Sequence, residues 1–285
     1  MKAEINWETI LRRAARAGRK AILTDYDGAS RRKIVKRGVG GDLTLTIDAA
    51  SEQAIHKSLQ KDLGEDSFIF LSEELGEVPN RLRDYLPLVV CDPLDGSHNA
   101  QAGIPFFSLA LSVIDQRNGK GRTLGNVTFA LISSIKTEDE YFASKGLGAY
   151  HNGLRLQKRA KTKTRIETLL VETGDIDYFR DKLIAKLSTK LVYKARVLGS
   201  AALSYCLLAD GSAEGYIFAQ PGGARTIDSP AGYLIARECG CVFADLSGKQ
   251  NDLDLVKVGF DSKINLVGAP DSKTLNTLKS LVRVS

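Results

Sequence analysis

The sequence predicts a mixed protein whose first half is α+β and whose second half is α/β. In the first half, two helical stretches precede a series of strand-forming runs. In the second half, short strand-forming runs alternate with helical stretches, which is typical of an α/β arrangement. The pattern changes at residues 158–164, so we expect an N-terminal domain over residues 1–160 and a C-terminal domain over residues 161–285.

The composition is that of a globular protein with a small excess of positive charge. Of its 285 residues, 43% are hydrophobic and 26% are charged, with a net charge of +6. That excess suits an anionic substrate, but it is too diffuse to favour nucleic acid as a partner. We find no run of about 18 apolar residues and no signal-peptide layout. We therefore expect a cytoplasmic protein that does not enter a membrane.

The cysteines are too few and too irregularly spaced for a disulfide framework or a zinc site. We expect them to be buried free thiols. They are Cys91, Cys206, Cys239 and Cys241.

The helices of the first half are predicted from apolar residues at helical spacing. They cover residues 7–23 and 49–64, and Asp48 is expected to be the N-cap of the second. Between them, residues 24–42 are charged and rich in glycine, which indicates a loop or hairpin.

Two strands of the first half are predicted to end on acidic residues. The run over residues 67–71 leads to Glu73 and Glu74, and the run over residues 87–91 leads to Asp92 and a proline-initiated turn. Both strands therefore deliver carboxylates at their carboxyl ends. Further runs predict an antiparallel meander that ends in a turn; these runs cover residues 108–115, 123–133 and 140–144, and the turn covers residues 146–153.

The second half is predicted to contain five strands and four helices. The strands cover residues 168–171, 196–198, 214–218, 241–244 and 264–268, and the helices cover residues 178–187, 200–209, 228–238 and 271–282.

The clearest chemical signal follows the strand over residues 87–91. Asp92 and Asp95 are three residues apart and can converge on one hard cation. The backbone N–H groups of Gly96 and Ser97 can meanwhile face an anion. Mg²⁺ prefers oxygen ligands of this kind, and no cluster of His or Cys favours zinc. We interpret this stretch as the metal and phosphate centre of a phosphatase.

Six stretches of the chain make it resemble the inositol monophosphatase family of magnesium-dependent, lithium-sensitive phosphatases over nearly its whole length. They are Thr46-Ile47-Asp48, Ser72-Glu73-Glu74, Asp92-Pro93-Leu94-Asp95-Gly96-Ser97-His98-Asn99, Gly148-Ala149-Tyr150-His151-Asn152-Gly153, Arg196-Val197-Leu198-Gly199-Ser200-Ala201-Ala202 and Ile227-Asp228-Ser229-Pro230-Ala231-Gly232. The resemblance implies a layered αβαβα sandwich of the sugar-phosphatase type, a site between the two halves, and a homodimer.

The resemblance also implies two or three Mg²⁺ ions per site, for which Mn²⁺ can substitute. The implied metal ligands are Glu73, Asp92, the carbonyl of Leu94, Asp95 and Asp228. The glycine-rich loop around residues 36–41 is expected to move with the weakest of these ions. Replacing Asp95 with Asn is expected to abolish turnover and to leave the fold intact.

The implied reaction is hydrolysis of a phosphomonoester by a metal-bound water. Gly96 and Ser97 would bind the phosphate, and Ser97 stands where the family has threonine. Together with Asp48, Ser97 would orient or deprotonate the nucleophile, and Glu73 and Glu74 offer alternative routes for the proton. The implied catalytic residues are thus Asp48, Glu73, Asp95 and Ser97. The implied substrate-binding residues are Asp95, Gly96, Ser97, Gly199, Ala201, Arg225 and Asp228.

The segment that would select the substrate departs from the family. Inositol-specific members have a glutamate before the last metal aspartate, whereas residues 219–226 contain no acid. Gln220 is a poor substitute. Arg225 either reaches an anionic group of the substrate or lies on the surface, and His98 either contacts phosphate or is solvated.

We expect a small sugar or polyol phosphate as the substrate, with inositol 1-phosphate first. Fructose 1,6-bisphosphate, alone or as a second substrate, is the alternative, and 3′-phosphoadenosine 5′-phosphate is less favoured. A protein that keeps the scaffold but serves RNA or the transcription machinery is the alternative from another class. The filled acidic positions argue against it.

Overall fold

The computed structural model describes residues 5–26, 32–37, 43–79, 85–116, 121–157, 166–173, 177, 192–248, 250 and 252–282. Its α-helices are α1 (Trp7–Tyr26), α2 (Thr46–Leu63), α3 (Ser97–Ala102), α4 (Ala201–Ala209), α5 (Pro230–Glu238) and α6 (Ser272–Val282). Its strands are β1 (Ile34–Arg37), β2 (Leu43–Leu45), β3 (Ile69–Ser72), β4 (Gly76–Val78), β5 (Leu88–Asp95), β6 (Ser108–Ile114), β7 (Val127–Ser134), β8 (Glu140–Ser144), β9 (Gly148–His151), β10 (Leu154–Arg155), β11 (Ile166–Glu172), β12 (Val192–Arg196), β13 (Gly215–Phe218), β14 (Ala224–Arg225), β15 (Val242–Asp245), β16 (Lys263–Ile264) and β17 (Leu266–Ala269).

The first half builds an eight-stranded sheet in the order β10-β9-β8-β7-β6-β5-β3-β4. Strands β3 and β5 are parallel, and β5 to β10 form the expected antiparallel meander. The stretch predicted to be a turn at residues 146–153 contains strand β9, whose Gly148 pairs with Ser144 of β8. The turn prediction was wrong because the residues between the flanking glycines form a strand that pairs with β8.

The second half builds a five-stranded mixed sheet in the order β12-β11-β13-β17-β15. Strand β11 is parallel to β12 and β13, whereas β17 is antiparallel to β13 and β15. Strand β12 covers Val192–Arg196, whereas the predicted strand covered residues 196–198. Leu198 therefore lies beyond the strand, and its carbonyl accepts a hydrogen bond from the Asn99 side chain at 2.7 Å. The predicted helix over residues 178–187 lies outside the described residues.

The buried apolar residues fall into three clusters, which define five layers. Leu11 of α1 and Ile55 of α2 pack with Leu109 on one face of the eight-stranded sheet. A second cluster joins the other face to α4, α5 and the five-stranded sheet, and includes Tyr205. Leu278 of α6 packs in a third cluster on the far face of the five-stranded sheet. The result is the layered αβαβα sandwich that the sequence predicts.

The two halves share the middle cluster of this core. The domain boundary between residues 160 and 161 lies outside the described residues and stays a prediction. All four cysteines are buried and free, as expected. No helix in the described part of the chain is long and apolar enough to cross a membrane.

The segment before α2 corrects one capping prediction. Strands β1 and β2 pair antiparallel, with Ile34 opposite Leu45, so the predicted hairpin is present. The moving loop was expected around residues 36–41; residues 36–37 belong to β1, and residues 38–42 lie outside the described part. Helix α2 begins at Thr46, two residues before the predicted N-cap. Asp48 is therefore inside the first turn, where its carboxylate accepts the N–H of Leu45 at 3.2 Å.

Candidate active site

A cleft of about 580 Å³ lies where the two halves meet, and every predicted site residue lines it. Its lining comprises Asp48, Glu73, Glu74, Asp92, Leu94, Asp95, Gly96, Ser97, His98, Asn99, Glu172, Thr173, Gly199, Ala201, Phe218, Gln220, Arg225 and Asp228. Clefts of this size are typical of sites for small molecules. The roles of the individual residues remain predictions, but their convergence is a property of the fold.

Neighbouring parallel strands place the first two acids. In the β3–β5 pair, Ser72 stands opposite Cys91, so Glu73 and Asp92 leave the same edge of the sheet next to each other. A buried carboxylate fixes the turn that carries Glu73. Glu52 of α2 accepts a short hydrogen bond from the Ser72 hydroxyl, and it accepts the N–H of Leu75 at 3.0 Å. The role of Glu52 in fixing this turn was not apparent from the sequence.

Strand β5 does not stop at Asp92, as the predicted turn required, but continues to Asp95. The pairing with β6 jumps from Asp92 opposite Ala110 to Asp95 opposite Ser108. Three steps on β5 therefore match two steps on β6, which is a β-bulge. Pro93 has no N–H to donate, and the carboxylate of Asp92 accepts the N–H of Leu94 at 3.0 Å. Leu94 lies within the bulge and lines the cleft.

Gly96 makes the close junction after β5 possible. Its φ is +84°, in the left-handed region that glycine enters without strain. A Cβ on Gly96 would lie 2.8 Å from the carbonyl oxygen of Gly199, which belongs to the other half of the chain. Helix α3 starts at the next residue, Ser97. The first N–H groups of a helix have no intrahelical acceptor, so those of Ser97 and His98 are suited to an anion in the cleft.

Asp95 joins the two halves directly. Its Oδ1 accepts the N–H of Ala201 at 3.0 Å, and its Oδ2 accepts the N–H of Ala202 at 3.1 Å. The hydroxyls of Ser108, at 3.2 Å, and of Ser200 also donate to Oδ2. Since Oδ1 has a single donor here, it keeps a lone pair for a cation. The expectation that an Asn at this position leaves the fold intact does not agree with these contacts.

The acids of the cleft repel one another. Burial first, and then the carboxylates of Asp95, Glu73 and Asp228, hold the pKa of Asp92 well above its usual range. Burial also raises the pKa of Asp48 well above its usual value. Bringing ionised carboxylates together in a dry site is costly unless a cation compensates them.

The donor set fits a hard divalent cation. The cleft is lined by several carboxylates and carries no Cys, and His98 is exposed, which suits Mg²⁺ or Mn²⁺ and not a soft metal. Within the described residues, no three Asp, Glu, His or Cys side chains are already arranged to hold an ion.

Asp228 and Arg225 come from the second half. Asp228 ends a single 3₁₀ turn before α5 begins at Pro230, so it does not open the helix as predicted. The guanidinium of Arg225 makes a short ion pair with Glu73. Its Nε lies 3.9 Å from Oδ2 of Asp228. Arg225 is thus a cleft residue in contact with two predicted metal ligands, and not a surface residue.

Two further cleft residues were not found from the sequence. Asn99 donates to the carbonyl of Phe106 at 2.8 Å and to that of Leu198 at 2.7 Å, which links α3 to the second half. Glu172, at the end of β11, accepts the hydroxyl of Ser204 at 2.8 Å. Burial raises the pKa of Glu172 to about 7. Its position, an acid at the end of a predicted strand, was the same signal that identified Glu73 and Asp92.

Gly199 and Ala201, two backbone positions predicted to contact substrate, have N–H groups that are already bonded within the protein. That of Gly199 donates to both oxygens of Glu172 at 3.2 Å, and that of Ala201 donates to Asp95. Gln220 also lines the cleft, and its N–H donates to Oδ1 of Asn265 at 2.9 Å. Because these N–H groups are already bonded, only the carbonyl oxygens and side chains of these residues are left to contact a substrate.

Comparison with known proteins agrees with this geometry. A protein of Thermococcus kodakarensis named fructose-1,6-bisphosphatase/inositol-1-monophosphatase is 31% identical over 275 residues, which cover 96% of each chain. The Nus factor SuhB of Pasteurella multocida is 30% identical over 82% of this chain and 84% of its own. A crystal structure of an inositol monophosphatase–fructose 1,6-bisphosphatase superposes with a TM-score of 0.76 at 26% identity, over 97% of this chain and 100% of its own.

The family assignment rests on a match over almost the entire chain. The family model described as "Inositol monophosphatase family" matches residues 6–278, which include every residue of the cleft. The chain belongs to the inositol monophosphatase family, whose members are metal-dependent phosphatases acting on small phosphorylated substrates.

Proposed function

We propose that this protein is a Mg²⁺-dependent phosphomonoesterase that hydrolyses a small sugar or polyol phosphate, with inositol 1-phosphate as its first substrate. The observation that carries the proposal is the meeting of four acids from both halves with the Gly96–Ser97 junction in one cleft. Glu73, Asp92 and Asp95 come from the first half and Asp228 from the second. Such a cleft combines oxygen ligands for cations with N–H groups for a phosphate.

The metal would be held by oxygen atoms alone. The proposed ligands are Glu73, Asp92, the carbonyl of Leu94, Asp95 and Asp228. Two or three Mg²⁺ ions are proposed, with Mn²⁺ as a substitute. When bound, such ions lower the pKa of water and stabilise the charge that develops on the phosphate oxygens.

The chain's own groups orient the substrate and carry protons. The N–H groups at the start of α3 would donate hydrogen bonds to the phosphate oxygens, in a position fixed by the approach of Gly199 to Gly96. The hydroxyl of Ser97 and the carboxylate of Asp48 line the same cleft. The raised pKa of Asp48 brings this carboxyl nearer to the range in which it can take and return a proton at working pH.

Fructose 1,6-bisphosphate is the second candidate substrate. The Thermococcus relative carries both activities in its name, and residues 219–226 lack the acid typical of inositol-specific members. A guanidinium in the cleft can bind a second phosphate, and Arg225 is placed there. The nucleotide 3′-phosphoadenosine 5′-phosphate remains the least favoured substrate.

The test is a substrate panel with the purified protein. Release of inorganic phosphate is measured from inositol 1-phosphate, fructose 1,6-bisphosphate and 3′-phosphoadenosine 5′-phosphate, with Mg²⁺, with EDTA and with millimolar Li⁺. We expect the first two substrates to be hydrolysed in the presence of Mg²⁺ and not in the presence of EDTA or Li⁺. Asp92→Asn should remove the activity. Hydrolysis confined to the nucleotide would overturn the proposed substrate class.

The same preparation tests the alternative from another class. The name of the Pasteurella relative, a Nus factor, supports an RNA- or transcription-associated role as the rival. Binding of RNA without metal, combined with no turnover of any substrate, would favour that rival. A homodimer and a cytoplasmic location are further proposals; light scattering after size exclusion tests the first, and cell fractionation tests the second.

A further inference from the structure

A guanidinium contacts two of the acids in the cleft. Arg225 makes a short ion pair with Oε1 of Glu73 and lies 3.9 Å from Asp228. The side chains of all three are only 17–21% exposed, so water screens these contacts less than it screens a surface ion pair. Glu73 follows β3 in the first half, whereas Arg225 and Asp228 belong to the second half. The contact therefore bridges the cleft.

The position of Arg225 is fixed by its backbone. It lies on β14, where it pairs with Lys263 of β16. Asn265 holds the same turn, because its Oδ1 accepts the N–H groups of Gln220 at 2.9 Å and Ala224 at 3.2 Å. The guanidinium is thus presented to the acids by a braced strand.

A metal ion and this guanidinium compete for the negative charge of Glu73. A cation that coordinates this carboxylate weakens its ion pair with the arginine, because the two positive charges repel each other at short range. Resting on the metal ligands of the proposed function, we propose that Arg225 is an internal counter-ion. It holds Glu73 while the site is free of metal and competes with the divalent cation for that carboxylate.

This role has two consequences of opposite sign. Removing the charge of Arg225 takes from Glu73 and Asp228 the guanidinium that contacts them, so the metal-free protein becomes less stable. The same change removes the competitor for Glu73, so the divalent cation binds more tightly. An arginine that only fills space would not produce the second effect.

The test measures metal binding and stability separately from turnover. Mg²⁺ is titrated into wild type and Arg225→Gln by calorimetry at constant ionic strength, and thermal unfolding is followed in EDTA and in excess Mg²⁺. We expect Arg225→Gln to bind Mg²⁺ about ten- to a hundredfold more tightly, as the loss of one charge-assisted hydrogen bond predicts. In EDTA its Tm should fall by about 2–6 °C, and excess Mg²⁺ should narrow that gap.

Two further variants serve as controls: one keeps the positive charge at position 225, and the other breaks an ion pair outside the cleft. Arg225→Lys keeps the charge and should stay closer to wild type than Arg225→Gln in both measurements. Arg122→Gln breaks a comparable half-buried pair with Glu77, joined at 2.6 and 3.0 Å, whose members do not line the cleft. It should lower the Tm equally with and without Mg²⁺ and leave the Kd for Mg²⁺ unchanged.

The outcomes distinguish the inference from the proposed function. If wild type hydrolyses a sugar phosphate with Mg²⁺ but Arg225→Gln binds Mg²⁺ no more tightly, the counter-ion role is wrong and the proposed function stands. If wild type neither binds Mg²⁺ nor releases phosphate, both are wrong. Equal gains in affinity for Arg225→Gln and Arg225→Lys would also contradict the role, since it depends on the charge.

Discussion

Replacement of Asp95 with Asn should cost the protein both its activity and a measurable part of its stability. Four donors converge on this carboxylate. The N–H of Ala201 bonds to Oδ1, and the N–H of Ala202 and the hydroxyls of Ser108 and Ser200 bond to Oδ2. An Asn side chain offers one oxygen in place of two, and its NH₂ group is itself a donor.

The cost can be worked from these contacts. If the NH₂ group takes the place of Oδ1, it faces the N–H of Ala201; if it takes the place of Oδ2, it faces the N–H of Ala202. The serine hydroxyls can turn and accept, but a backbone N–H cannot. One buried donor is therefore orphaned in either orientation, at about 1–3 kcal/mol, which corresponds to a fall in Tm of roughly 3–10 °C.

Asp92→Asn provides the matched control. Asp92 makes one backbone contact, the N–H of Leu94 at 3.0 Å, which the amide oxygen of Asn can accept equally well. Both variants replace one acid of the cleft with an amide, so the difference between their melting temperatures isolates the effect of the orphaned donor. Thermal unfolding in EDTA should place Asp95→Asn below Asp92→Asn, and neither should release phosphate. Equal melting temperatures would refute the structural role of Asp95.

Three further predictions concern the shell around the acids. Gly96→Ala should lower stability by about 2 kcal/mol or more, because a positive φ and a Cβ 2.8 Å from the carbonyl of Gly199 both oppose it, and kcat/KM should fall with the Tm. The pKa of Glu172 is raised from 4.5 to about 7, so the folded protein keeps a proton in that window that the unfolded chain has lost, and stability falls as the pH rises through it. Glu172→Gln should therefore flatten the fall in Tm between pH 5 and pH 8 in EDTA. Glu52→Ala should weaken Mg²⁺ binding by calorimetry, since the turn carrying Glu73 loses the acceptor for the N–H of Leu75, whereas unchanged affinity would contradict that bracing role.

Much of the fold was predictable because its signals are local. Apolar periodicity identified α1 and α2, and strand-forming runs identified the meander from β6 to β8. The convergence of Glu73 and Asp92 was also predictable, since two strands end on acids and their register on adjacent parallel strands brings those acids together. Local patterns were less reliable at boundaries, as the start of α2 at Thr46 and the strand β9 between glycines demonstrate.

The remaining features depend on contacts between distant parts of the chain. Asp95 meets the first N–H groups of α4 across more than 100 residues of sequence, and no pattern near Asp95 indicates this second role. The residues next to Arg225 in the sequence were compatible either with a contact to substrate or with a position on the surface. The fold instead pairs Arg225 with Glu73. Glu172 carried the signal of an acid at a strand end, but the matching stretches of the family did not include it.

The most direct test of the central claim is anomalous scattering from crystals soaked in Mn²⁺, recorded with and without prior treatment with EDTA. We predict at least one anomalous peak bounded by the carboxylates of Glu73, Asp92, Asp95 and Asp228, with the guanidinium of Arg225 moved away from Glu73. Crystals of Asp92→Asn should show a weaker peak or none. Peaks found only outside this cleft, or no peak in protein that hydrolyses sugar phosphates, would contradict the assignment of these acids as the metal centre.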